Sequence, residues 1–280
     1  MTQHLHSFHN AFKRKDRSMK TIGIIGFGNM GSALCEGLKL KKDEFNIIVA
    51  EKMAQKAKLA QSQYNLKVLH NKELINSSDI IVIAVKPQEL AELFQQIKQY
   101  SKGKSFISIV AGRKIALFKD SLQTNQVARF MPNVAALQGK AAVGVSFSKQ
   151  AKEQFKKHTL QIAEALGTAY QIPESLMPAI TGLSGSGIAF VFAFIHALAL
   201  GGVAEGIKYD DALKIASSTV EGAVAVLNST KKNPVEMLSK VISPAGTTIC
   251  GVAALEKLGF THAAMQAVVS ASQRAKELEG

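Results

Sequence analysis

The 280-residue chain has only two cysteines, Cys35 and Cys250, far apart and without a C-x-x-C pair. That excludes a disulfide framework and a zinc ribbon, and it fits a reducing, cytoplasmic setting. Cys35 falls inside a helical pattern, where a small buried hydrophobe is the ordinary reading. Acidic residues are scarce: 21 Asp and Glu stand against 34 Lys and Arg, a formal net charge of +13. The excess is diffuse. It lacks the clustered patch with interleaved aromatics that marks nucleic-acid binding, and it suits small anions such as phosphates and carboxylates. No apolar h-region opens the chain, so residues 1–19 are no secretory signal. They read as a disordered basic tail, whether an organelle-targeting segment, an extended start or a vector remnant. His4, His6 and His9 lie there at short spacing. On a frayed tail they read as solvated side chains, and no metal site is expected. With 47% hydrophobic and 20% charged residues the rest is globular, and its length suits two domains.

Charge is missing altogether from Leu176 to Ala204. A membrane span is one reading. The unbroken apolar run from Ile188 to Leu200 includes His196 and falls well short of the roughly 20 residues a bilayer needs. Its approach, Ser184-Gly185-Ser186-Gly187, is small and polar. A subunit interface also buries a helix that is apolar on all sides, and that reading is preferred to a membrane span. His196 then reads as a core histidine and not as a catalyst.

What the sequence does have is a glycine turn. Ile22-Gly23-Ile24-Ile25 reads as a strand entering Gly26-Phe27-Gly28-Asn29-Met30-Gly31, with a helix over 30–40 and a second strand over 46–50. In such a G-x-G-x-x-G turn the first glycine makes the sharp bend, the second admits a pyrophosphate, and the third lets the helix pack on the sheet. The helix N-terminus then faces the phosphates. A purely structural turn is the bland alternative. Further strands are expected at 66–69, 79–85, 105–110, 127–131 and 143–147, with helices at 52–63, 71–76, 88–100, 113–122 and 149–166, the last stopped by Gly167. This rhythm implies a doubly wound parallel sheet, an α/β Rossmann-like domain over 20–178. After Pro178 no clear strand pattern remains. Helices are expected at 184–207, 210–229, 233–241, 246–258 and 260–278, giving an all-helical domain over 179–280.

In that second domain Ser243-Pro244-Ala245-Gly246-Thr247-Thr248 breaks one helix and opens the next. Free N–H groups beside two or three hydroxyls make a small anion cradle, and an ordinary N-cap is the competing reading.

Together these stretches resemble the Δ1-pyrroline-5-carboxylate reductase family, whose activity is the last step of proline biosynthesis. The resemblance runs in order through 22–31, Ala84-Val85-Lys86-Pro87, Met131-Pro132-Asn133, the Gly-x-Ser-Gly-Ser-Gly of 182–187, the loop 243–248 and Leu255–Phe260, across about 260 residues. There are departures. The family usually has Gly where Ala245 stands, and Ala would strain the loop if that position needs φ > 0. Its Asn-Thr-Pro becomes Asn133-Val134-Ala135, its Pro becomes Ile188, and the Lys231-Lys232 pair replaces an acidic residue.

The resemblance implies hydride transfer from NADPH or NADH to the C=N carbon of a small cyclic imino acid. A protonated imine reduces to a neutral amine, so such a site needs orientation and carboxylate binding more than acid–base machinery. Backbone N–H groups at Gly246 and Thr247 would hold the carboxylate. Val241 and Ser243 would border the substrate, with Ser243 assisting and Thr248 bonding the ring nitrogen. Gly26 to Gly31, Lys52, Asn71, Ala84 to Pro87, Val110-Ala111-Gly112, Pro132 and Asn133 would form the cofactor channel. Helix capping for Asn71 and a turn for Gly112 are the structural alternatives. Glu51 closes the second strand, where an acid takes the ribose 2′-OH and favours NAD. Lys52 follows, where a cation favours NADP, and NADP is preferred. The family also implies a homodimer through the helical domain, with larger rings in some members and active sites shared between chains. The rival β-hydroxyacid dehydrogenases carry a Lys and then an Asn after the Gly-x-Gly of the long helix, but here Gly187 is followed by Ile188-Ala189-Phe190. A nucleotide-sensing scaffold on the same fold is the other rival.

Overall fold

The computed structural model describes residues 19–40 and 44–279. The expectations for residues 1–18, His4, His6 and His9 among them, lie outside the described residues. The strands are β1 (Lys20–Ile25), β2 (Phe45–Ala50), β3 (Lys67–Val68), β4 (Ile80–Ile83), β5 (Ser105–Ser108), β6 (Val127–Met131), β7 (Ala141–Phe147) and β8 (Gly167–Gln171). They form one sheet in the order β3-β2-β1-β4-β5-β6-β7-β8. Six helices belong to this half: α1 (Asn29–Lys39), α2 (Ala54–Ser62), α3 (Asn71–Ser77), α4 (Leu90–Ser101), α5 (Ile115–Leu122) and α6 (Glu153–Glu164).

Both faces of the sheet are covered, and period-two alternation sorts the side chains between them. Ile22, Ile24, Val49, Ile80 and Val82 face a core with Leu34 and Leu38 of α1 and Ile162 of α6. Ile25, Ile48, Ile81 and Ile83 face the opposite core with Phe94 and Ile97 of α4 and Phe118 of α5. Full burial of one such side chain contributes about 1.5–3 kcal/mol. The chain winds outward from β1 in both directions, to β2 and to β4. The carboxyl ends of β1 and β4 therefore border the crevice where doubly wound sheets bind ligands.

Two features depart from the expected parallel sheet. β7 runs antiparallel to β6, and β8 pairs parallel to β7. Gly167 does not end the preceding helix. It opens β8 with φ of +151°, and a Cβ there would sit 2.1 Å from the Ala141 carbonyl oxygen. The strand escapes detection because Gly167-Thr168-Ala169-Tyr170-Gln171 is a half-exposed edge without an apolar run.

The second half holds α7 (Met177–Ile180), α8 (Gly187–Ala204), α9 (Tyr209–Thr230), α10 (Pro234–Val241), α11 (Thr247–Lys257) and α12 (Phe260–Glu279), with a π turn at Thr181–Gly185. That turn carries the small polar residues before α8 into the helix. The helical run is thus 31 residues, Glu174–Ala204, with an 18-residue window of mean hydropathy 2.1, long and apolar enough to cross a membrane by length and composition. The run is longer than the stretch from Ile188 to Leu200. Its first part is not bare, because α12 packs against α7 and the π turn. Beyond it the half has little core of its own: Ala199, Ala212 and Ala216 form its only buried cluster among the described residues. Val191 and Phe192 of α8, Val224 of α9 and Met265 of α12 stay exposed.

α12 returns to the sheet. Arg129 of β6 is buried, with Nη2 2.6 Å from Glu279 Oε1 and Nη1 3.5 Å from Glu174 Oε1. Glu174 also accepts the Ile115 N–H at 2.7 Å. One guanidinium thereby joins the sheet, the segment leading into the helical half, and the last turn of the last helix.

Candidate active site

The glycine turn follows β1 directly. Gly26 has φ of +100°, and a Cβ on it would lie 2.7 Å from the Ala84 carbonyl oxygen. A Cβ on Gly31 would lie 2.2 Å from the Gly26 carbonyl oxygen, so α1 can sit this close to the turn only with glycine there. A Cβ on Gly28 would meet nothing within 4 Å. Gly28 is the N-cap of α1 and supplies no side-chain cap, so the first N–H groups of the helix remain open to an anion.

Beside this turn lies a cavity of about 340 Å³. Of the residues assigned to the cofactor channel, Gly26, Gly28, Lys52, Asn71, Ala84, Val85 and Lys86 line it. Glu51 lines it as well, but its carboxylate is engaged by the protein itself. Oε2 accepts the Phe27 N–H at 2.7 Å and Oε1 the Met53 N–H at 2.8 Å. Glu51 thus braces the glycine turn and the start of α2. Asn71 does not cap α3; His70 holds the N-cap position, and the Asn71 amide donates to Gln96 at 2.9 Å.

Lys52 Nζ lies 2.7 Å from Glu89 Oε1. Glu89 Oε2 accepts the Lys86 N–H at 3.0 Å. Lys52 and that backbone donor hold the Glu89 carboxyl below its usual range, and Glu89 raises the Lys52 ammonium. Lys56, Glu92 and Gln96 complete this end. Sequence reasoning missed Glu89. Its only signal is an acid two residues past Pro87, at the start of a helix, which reads equally well as an ordinary helix start.

Phe27, Asn29, Met30, Gly31, Pro87, Val110, Ala111, Gly112, Pro132 and Asn133 do not line the cavity. They lie beyond the carboxyl ends of β1, β4, β5 and β6. Gly112, with φ of +67°, turns against the end of α12, where a Cβ would come 2.9 Å from the Leu278 carbonyl oxygen. The Asn133 amide donates to Ser184 Oγ at 3.0 Å, and Ser184 Oγ donates to the Ala142 carbonyl at 2.9 Å. The loop after β6 is thus tied to the entry of α8.

The loop before α11 supplies no lining to this cavity from its own chain: Val241, Ser243, Gly246, Thr247 and Thr248 all lie outside it. Ala245 adopts φ of +57°, the left-handed conformation in which Ala is strained. Gly246 is the N-cap of α11 and makes no side-chain cap bond. An ordinary capped connection would close the Thr247 and Thr248 N–H groups with a hydroxyl, and here they have no side-chain cap. The Gly246 N–H, expected to hold a carboxylate, donates instead to the Ser243 carbonyl at 3.0 Å. Among the described residues no group of three or more His, Cys, Asp or Glu is placed to hold a metal ion. His196 is exposed in the described chain and not a core histidine as expected; its Nδ1 lies 3.1 Å from the Tyr209 hydroxyl.

A crevice at the reversal of a doubly wound sheet, an uncapped glycine turn facing it and a following all-helical half define a nicotinamide-dependent oxidoreductase. Known proteins narrow the class. Residues 174–278 match the family described as pyrroline-5-carboxylate reductase dimerisation, and residues 21–112 match NADP oxidoreductase coenzyme F420-dependent. The pyrroline-5-carboxylate reductase of Methanosarcina acetivorans is 42% identical over 263 residues, 92% of this chain and 97% of that protein. That of Aquifex aeolicus is 40% identical over 260 residues, with the same coverage of 92% and 97%. Among solved structures, the Plasmodium falciparum pyrroline carboxylate reductase with NADP bound superposes with a TM-score of 0.83 at 27% identity, covering 94% of this chain and all of that one. The enzyme from Coxiella burnetii superposes at 0.88 and 25% identity, covering 94% and 100%. The chain belongs to the pyrroline-5-carboxylate reductase family, and it is an NAD(P)H-dependent reductase.

Proposed function

We propose that this protein reduces Δ1-pyrroline-5-carboxylate to L-proline in the cytoplasm, with NADPH as the preferred donor and NADH as a second one. The uncapped start of α1 and the open space over Gly28 fit a pyrophosphate. Lys52 and Lys56 at the mouth fit a 2′-phosphate. When bound, the cofactor supplies the hydride. The chain's own task is to seat and orient the imino acid. Because the Gly246 N–H is already given to the Ser243 carbonyl, the Thr247 and Thr248 N–H groups, in place of the expected Gly246 and Thr247 pair, hold its carboxylate. Ser243 and Val241 border it, and the Thr248 hydroxyl accepts the hydrogen bond of the protonated ring nitrogen. No residue need donate a proton in the hydride step.

The domain division follows from these tasks: cofactor binding over 20–178, and dimerisation with substrate binding over 179–280. A second copy covers the exposed apolar face of α8, α9 and α12, which is why that face is no membrane span; this pairing makes a homodimer and leaves room for larger rings. The loop before α11 lines no part of its own chain's cavity, which supports a substrate site completed between copies.

The open, uncapped α11 N-terminus behind Ala245 carries this reading. The test is NADPH oxidation by purified protein on adding the imine, with Thr248→Ala beside it. Imine-dependent oxidation that falls at least tenfold in the variant supports the proposal. Intact cofactor binding with no imine-dependent rate would favour a sensor on the same fold.

A further inference from the structure

The Lys52–Glu89 pair sits where a dinucleotide with a 2′-phosphate is distinguished from one without. Glu89 is held from two sides, by Lys52 Nζ at 2.7 Å and by the Lys86 N–H at 3.0 Å. It is therefore a fixed negative charge at the cavity mouth. The other acid beside Lys52, Glu51, is turned toward the Phe27 and Met53 N–H groups. Glu92 lines the same cavity without an ion-pair partner among the described residues, and Lys56 and Lys86 are the remaining cations. Glu89 is the one carboxylate that occupies the ammonium a 2′-phosphate would use.

A 2′-phosphate takes Lys52 by displacing Glu89. The carboxylate, still fastened through the Lys86 amide, then remains beside it as a like charge. A 2′-hydroxyl meets neither obstacle, since it leaves the ion pair intact and can donate to the carboxylate. We propose that Glu89 is the specificity-determining residue of the cofactor site: by holding Lys52 it restrains the preference for the phosphorylated dinucleotide and keeps the unphosphorylated one usable. This rests on the assignment of Lys52 to the 2′-phosphate.

Glu89→Gln separates charge from structure, because the amide oxygen can still accept the Lys86 N–H. Calorimetric titration of NADP⁺, NAD⁺ and 2′,5′-ADP into the parent enzyme, Glu89→Gln, Lys52→Ala and the double variant reads binding without turnover. In Glu89→Gln, NADP⁺ and 2′,5′-ADP tighten by about three- to tenfold while NAD⁺ changes by less than about twofold. In the Lys52→Ala background the same replacement moves the NADP⁺ to NAD⁺ ratio by less than about twofold, as a role acting through Lys52 requires. Equal changes for both cofactors in Glu89→Gln, or none, with Lys52→Ala still selectively weakening NADP⁺, overturn the proposal and leave the Lys52 assignment standing. An unchanged ratio in Lys52→Ala refutes that assignment, and the role of Glu89 falls with it.

Discussion

Ala245→Gly should stabilise this enzyme, although it removes a side-chain methyl. Ala245 sits at φ of +57° between Pro244 and the Gly246 N-cap. An L-residue with a Cβ is disfavoured in the left-handed region by about 1–2 kcal/mol, and glycine is free of that penalty. Glycine in turn loses about 0.4–1 kcal/mol through the greater freedom of the unfolded chain. Ala245 is exposed, so no packing is lost with the methyl. The balance is a gain of about 0.5–1 kcal/mol. For a domain of this size that raises Tm by about 1–4 °C. Differential scanning calorimetry at one fixed protein concentration measures it, because association also shifts Tm. Ala245→Val supplies the opposite arm. A β-branched side chain fits the left-handed region less well than Ala, so its Tm should fall below the parent's. The order Gly above Ala above Val is expected. A parent that melts above Ala245→Gly, with Ala245→Val unchanged, would refute backbone strain at this turn. Pre-organisation adds a second readout. If Ala holds the loop open for the carboxylate, Ala245→Gly should raise KM for the imine while the enzyme becomes harder to melt.

Two further perturbations are sharp. Gly31→Ala puts a methyl 2.2 Å from the Gly26 carbonyl oxygen, so α1 must move off the turn. A loss of about 1–3 kcal/mol in denaturant unfolding and at least tenfold weaker NADP⁺ binding by calorimetry are expected, and unchanged binding would count against the turn as the phosphate seat. Burial pushes the Cys35 thiol up to about 12, so its thiolate fraction at pH 8 is on the order of 10⁻⁴. Iodoacetamide at that pH should leave Cys35 unmodified until the protein is unfolded, as peptide mass spectrometry would show; labelling of the native enzyme would contradict its burial.

The parts that could be read from sequence are those where one residue type answers one local demand. Gly26 and Gly31 are glycine because backbone atoms crowd them, and the run Ile80–Ile83 is apolar throughout because both faces of β4 are covered. The parts that could not be read depend on distant chain. Nothing near 141–147 announces that β7 runs antiparallel, since an apolar strand reads the same in either direction. β8 is an edge, so its residues answer to solvent as much as to core. Glu51 follows the expected spacing, yet its carboxylate braces Phe27 and Met53, because the turn it faces offers N–H groups that need acceptors. Glu89 became visible only when a turn after β4 brought it across to Lys52. The resemblance placed the loop at 243–248 among functional residues, and its distance from its own chain's cavity is a matter of domain geometry.

The last turn of α12 rivets the helical half to the sheet. Losing Leu278 and Glu279 would leave the buried Arg129 guanidinium with Glu174 alone, at 3.5 Å, and strip the cover from Gly112. With Glu174 still beside it, the cost stays below the roughly 3–5 kcal/mol of a wholly unpaired buried charge. A cut in this turn should therefore loosen the sheet around Arg129 and Gly112 before it erodes the helical half that carries the cut.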